Sequence, residues 1–132
     1  MTKSYIGTKE ILAWELDKDG KPGYAVKYPD GYISWSPKDV FESAYRVSEG
    51  EAQALTFGDA IHFMKQGKKV ARTGWNGKGM YVRFVPSWTY TDGIDDNRKC
   101  NPLFTIKNVD ESVSTWVPSI NDVLAEDWQI VE

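Results

Sequence analysis

A chain of 132 residues, 41% hydrophobic and 27% charged, has ordinary globular composition, which excludes disorder over any long stretch and leaves room for one domain or two compact modules. A net charge of −3 provides no general basic field, so duplex nucleic acid is excluded as a partner, and a single Cys100 with a single His62 makes neither an intramolecular disulfide nor a Cys/His zinc site. No apolar run approaches the roughly 20 residues that span a bilayer, and Met1-Thr2-Lys3-Ser4 lacks a following apolar signal segment, so a protein of the reducing cytoplasm with no membrane contact is expected.

In chain order, residues 11–16, 23–28 and 32–35 are rich in strand formers, and Asp17-Lys18-Asp19-Gly20 and Pro29-Asp30-Gly31 hold the Asp and Gly of tight turns. A meander is the simplest reading. Ser36-Pro37-Lys38-Asp39 then predicts a helix start, with Ser36 as N-cap, Pro37 in the first helical position, and Val40, Phe41, Ala44 and Tyr45 as the apolar face. The polar stretch 47–53 marks a connection, so modules are placed at residues 1–50 and 51–132. Thr56-Phe57-Gly58-Asp59 repeats the capping signal, and Phe57, Ala60, Ile61 and Met64 recur at helical spacing until Gly67. Residues 68–72 and 80–85 read as strands joined by a Gly-rich hairpin loop, Thr73 to Gly79. The polar stretch 86–102, including Asp92-Gly93-Ile94-Asp95-Asp96-Asn97, reads as a long binding or mobile loop. Residues 104–107 and 115–117 read as strands, Ser119 to Ala125 as a short capped helix, and 128–131 as a closing strand. The expected class is α+β, an antiparallel sheet with short helices packed on one side and a small N-terminal βββα module.

Catalytic chemistry is poorly supported by these residues. His62 lies within an amphipathic helix, Cys100 within a loop, and the carboxylates of Asp92, Asp95, Asp96, Asp110, Glu111, Asp122, Glu126 and Asp127 have no spacing that fixes an acid and a base. The glycines of Gly74-Trp75-Asn76-Gly77-Lys78-Gly79 fall between two strands, which matches neither a Rossmann nor a Walker loop. The aromatic content of 14%, with six Trp and seven Tyr, exceeds what a core needs and suits interfaces or stacking on nucleobases. The loop offers a ring for stacking, an amide, backbone N–H groups and the cations Arg72 and Lys78, a set that suits a phosphorylated nucleoside. The same residues also suit a plain hairpin loop in which glycine supplies positive φ and Trp75 covers the core. Trp116 to Asp122 offers a second recognition segment, where a strand gives way to a helix start, or equally a capping box of Ser119 and Asp122 beside a core Trp116.

Three ordered blocks bring these features together: Leu55-Thr56-Phe57-Gly58-Asp59-Ala60; Lys69 through Arg72-Thr73-Gly74-Trp75-Asn76-Gly77 to Met80; and Trp116-Val117-Pro118-Ser119 with Leu124-Ala125-Glu126-Asp127-Trp128. Over residues 55–132 the chain resembles the second Thoeris anti-defence family, phage proteins that act as sponges for cyclic ADP-ribose isomers such as glycocyclic ADP-ribose, some members also taking cyclic dinucleotides. The resemblance implies an α+β fold, a homotetramer with pockets shared between protomers, action in the host bacterial cytoplasm, sequestration without turnover and no cofactor. It assigns ligand binding to Arg72, Trp75, Asn76, Met80, Trp116, Ser119 and Asp122, and no residue to catalysis or metal binding. Residues 1–50 resemble a small module of other phage proteins through Gly23-Tyr24, Tyr28-Pro29-Asp30-Gly31-Tyr32, Ser34-Trp35-Ser36-Pro37 and Phe41. The stretch Ser87 to Lys99 and the pair Ile120-Asn121 depart from the family pattern. Readings from other classes are an enzyme that degrades a nucleotide signal and a virion or scaffold interaction module.

Overall fold

The structure, a computed structural model, describes residues 1–91 and 97–131 and divides into two compact units, Met1–Tyr45 and Arg46–Glu132. The acidic residues Asp92, Asp95 and Asp96 of the expected loop lie outside the described residues.

In the first unit, β1 (Leu12–Glu15), β2 (Gly23–Lys27) and β3 (Ile33–Pro37) form an antiparallel meander in that order. Asp19 and Gly20 both take positive φ, 53° and 77°, the geometry that reverses a tightly twisted hairpin. Ala25 sits between Trp14 and Trp35 in the ladder and is buried. Helix α1 (Lys38–Ala44) follows and packs through Phe41, whose ring stacks on Tyr24 at 4.1 Å, while the Tyr24 hydroxyl donates to Glu42.

The start of α1 differs from the expected one. Pro37, not Ser36, is the N-cap, and no side chain caps the helix. The cause is the sheet: Ser36 and Pro37 are still paired with Tyr24 and Gly23, so the backbone cannot turn helical before Lys38. The apolar face is also narrower than expected, since Phe41 and Tyr45 are half-buried but Val40 is 57% exposed.

The second unit holds a five-stranded antiparallel sheet in the order β10-β4-β5-β8-β9, formed by β4 (Lys69–Arg72), β5 (Tyr81–Val85), β8 (Leu103–Lys107), β9 (Val113–Trp116) and β10 (Trp128–Val131). Strand alternation puts Val70, Val82, Phe84, Phe104, Ile106 and Trp128 on one face. Helix α2 (Phe57–Lys65) covers that face with Ala60, Phe63 and Met64, and Leu55 closes the core. Its expected capping box is present: Asp59 N–H donates to Thr56 Oγ1 and Thr56 N–H to Asp59 Oδ2. Gly67 ends the helix at φ 91°.

The stretch expected as an open loop contains a two-stranded ribbon, β6 (Trp88–Thr91) with β7 (Asn97–Cys100), in which Trp88 opposes Cys100 and Tyr90 opposes Arg98. Its short alternation of aromatic and Thr residues is a strand signal that the polar sequence Asp92 to Asn97 conceals. A short helix α3 (Ile120–Leu124) leads into β10. Among the described residues no helix is long and apolar enough to cross a membrane.

Candidate functional site

The loop from Thr73 to Met80 joins two neighbouring strands of the sheet, and β10 lies on the other side of β4. Because Trp128 pairs with Arg72, the residue before it, Asp127, arrives opposite the start of the loop. Asp127 Oδ1 accepts from Arg72 Nε at 2.8 Å, and its Oδ2 accepts from the Gly74 N–H at 2.8 Å and from Thr73 Oγ1 at 3.3 Å. A Cβ on Gly74 would stand 2.8 Å from Asp127 Oδ2, so a side chain there would push the carboxylate from its place against the loop.

Asp122 completes the arrangement from α3. Its Oδ1 accepts from Arg72 Nη1 at 3.0 Å and from the Trp75 indole N–H at 3.3 Å, while its Oδ2 accepts from the Ser119 N–H at 3.0 Å. The Ser119 hydroxyl accepts in turn from the Asp122 N–H, so the expected capping box is present. The Asp122 carbonyl also receives the buried Trp128 indole N–H at 2.9 Å. Asp122 thus ties loop, helix and core to one point, and it is the buried polar residue of the described structure, 8% exposed.

Electrostatics follow from these contacts. Burial is the largest influence on Asp122 and pushes its carboxyl up, but the hydrogen bonds from Ser119, Arg72 and Trp75 together outweigh it and leave the group below the usual aspartate value. Asp127 has the same balance, burial pushing up and Arg72, Gly74 and Thr73 bringing it lower overall. Pairing with Asp127 first, and with Asp122, raises Arg72. Both carboxylates are therefore ionised at neutral pH, with one guanidinium between them.

The structure brings five of the seven sequence-derived site residues together: Arg72, Trp75, Ser119 and Asp122 by hydrogen bonds, and Trp116 by its ring, whose centroid is 6.4 Å from that of Trp75 in an edge-to-face arrangement. Trp75 also meets Trp128 at 5.4 Å, so it packs on the core as well as facing the loop. Asn76 is exposed on the loop. Met80 lies where the loop closes: a Cβ on Gly77 would fall against Met80 Sδ and Val109 Cγ2, so Gly77 is covered by these two side chains and not by the carboxylate cluster. Arg72, expected to attract phosphate, has its Nε and Nη1 groups committed to carboxylates. The Gly74 and Trp75 N–H groups, expected to be available, are bonded to Asp127 and to the Arg72 carbonyl.

Sequence reasoning missed Asp127 as part of the site. It lies 55 positions from Arg72, and only the pairing of the last strand with β4 reveals the contact. His62 is on α2 with its ring against Phe63, and Cys100 is on the ribbon, so neither belongs to the cluster.

The second unit is thus an α+β unit whose aromatic loop is braced by two carboxylates paired with Arg72. Residues 55–131 match the model of the Thoeris anti-defense 2-like domain, and the chain belongs to that family. It is 40% identical over 85 residues to Thoeris anti-defense 2 of Bacillus phage SP01, an alignment that spans 58% of this chain and 94% of the relative.

Proposed function

We propose that this protein opposes Thoeris defence by binding a cyclic nucleotide signal, a cyclic ADP-ribose isomer in the first instance, and holding it without cleavage. The observation that carries this reading is the state of the loop: the Asp122 and Asp127 ion pairs fix Thr73 to Trp75 from behind and leave Asn76 exposed at the front. A loop held in place before the ligand arrives loses little ordering entropy on binding. The Asp122 and Asp127 carboxylates spend their oxygens on Arg72, Trp75, Ser119, Gly74 and Thr73, which supports a bracing role for them over a role in hydrolysis.

In this reading the exposed part of Trp75 and Trp116 meets the base, and Asn76 and Ser119 donate to and accept from its edge or a ribose. Asp122 and Arg72 position the loop, and Met80 supplies apolar contact at its far end. The host cytoplasm is the compartment of action. A homotetramer whose pockets are shared between protomers would supply the walls that a loop at one end of a sheet lacks.

Isothermal titration with cyclic ADP-ribose isomers and cyclic dinucleotides tests this. Tight binding of one of them is expected, with Asn76→Ala weakening it by about 1 to 3 kcal/mol at unchanged thermal stability. Absence of binding at micromolar ligand, or identical affinity for the wild type and Asn76→Ala, contradicts the assignment.

A further inference from the structure

The sheet of the second unit has a second face, and its chemistry is unlike that of the loop cluster. Val70 and Val82 point into the core, so alternation sends Tyr81, Arg83 and Val85 of β5 to the opposite side, level with Lys107, Thr105 and Leu103 of β8. A groove of about 360 Å3 opens there, between Tyr81, Arg83, Lys107, Val85, Pro86 and Val113. That volume lies within the range of small-molecule sites.

Cations converge on this groove in a chain whose net charge is negative. The Lys69 ammonium stands 4.8 Å from the centre of the Tyr81 ring and that of Lys107 5.8 Å from it, so one tyrosine organises two lysines. Lys107 is further fixed by donating to the Gly79 carbonyl at 3.2 Å and pairing with Glu111 at 3.0 Å. Arg83 is exposed and has no ion pair among the described residues. Among the described residues, the ion pair made by these three cations is the one between Lys107 and Glu111, whose carboxylate is 78% exposed. At the loop cluster the balance is the reverse, one guanidinium against two carboxylates.

We propose that this groove is a separate binding site for a small phosphate monoester. A monoester carries about two negative charges at neutral pH, which matches the excess of cations, and Arg83 offers the planar fork that engages two phosphate oxygens. Val85, Pro86 and Val113 form an apolar wall beside the cations that takes the body of the ester. The site does not depend on the reading of the loop.

Adenosine monophosphate is the probe, titrated calorimetrically into the full chain beside adenosine and inorganic phosphate. It is expected to bind about tenfold or more tightly than either fragment, with affinity falling as salt is raised from about 50 to about 300 mM. Arg83→Gln is expected to weaken it about tenfold and Lys69→Gln several-fold, while Asn76→Ala leaves it unchanged. Arg83 is exposed, so its variant should keep the wild-type melting temperature and report on binding alone. Vesicles containing phosphatidic acid present the same headgroup chemistry on a membrane. The proposal is overturned by no binding up to about 1 mM, by equal binding of adenosine, by indifference to Arg83→Gln, by loss on Asn76→Ala, or by binding to the vesicles alone.

Discussion

Asp122 joins loop, helix and core in the second unit. It accepts from Arg72, Trp75 and Ser119, and its carbonyl receives Trp128. Asp122→Ala removes a cap and leaves a half-buried guanidinium with one partner, so a loss of about 2 to 3 kcal/mol is expected, read as a lower urea midpoint. The pH dependence has a definite sign. Asp59, Asp122 and Asp127 all lie below the ordinary value of 3.8 in the folded protein; for Asp59 the Arg46 ion pair is the largest cause. Groups depressed on folding stabilise above the unfolded pKa, and that contribution disappears as pH falls through the folded values. Stability should therefore be flat from roughly pH 7 to pH 5 and fall below roughly pH 4, as measured by urea unfolding at each pH. Asp127→Asn should flatten the acid limb, and an acid limb identical to wild type would show that the ion pair carries no linkage. Residue types at the loop were legible in the sequence, but their allegiance was not. Arg72 and Trp75 both proved to be tied to Asp122, because burial beside Trp128 places donors and acceptor within reach across 50 and 47 positions.

Among the elements, the two proline- and threonine-led helix starts separate a motif from its context. Thr56 and Asp59 satisfy each other's N–H groups at the head of α2, as their spacing predicts. Ser36 carries the same residue preference, yet the strand ladder holds it and its hydroxyl reaches only the Pro37 carbonyl. Thr56→Ala is accordingly expected to cost about 1 kcal/mol and Ser36→Ala close to none, measured by thermal unfolding of the two variants side by side. Equal losses would contradict the assignment of the caps. The meander, the amphipathic α2, the hairpin around the loop and the short α3 were all readable from alternation, helical spacing and turn residues. The ribbon was not, because the alternation of Trp88 to Thr91 is only four residues long and runs into a polar sequence, and Asn97 to Cys100 carries no such alternation of its own. The strand order was equally hidden: nothing local tells that β10 returns beside β4, and this return is what delivers Asp127 to the loop.

At the scale of the whole molecule, the family match over residues 55–131 falls within the second unit, Arg46–Glu132. The relative from Bacillus phage SP01 is covered over 94% of its length by a match spanning 58% of this chain. The second unit presents two surfaces of opposite character: a loop braced by carboxylates, and a cationic groove on the far face of the sheet. Sequestration by the loop is the central claim. Its most direct test is to incubate the protein with an equimolar cyclic ADP-ribose isomer, isolate the protein by gel filtration, denature it and chromatograph the released ligand. Sequestration predicts that the ligand travels with the protein and emerges intact in stoichiometric amount; a hydrolysed product, or ligand left wholly in the small-molecule fraction, contradicts it.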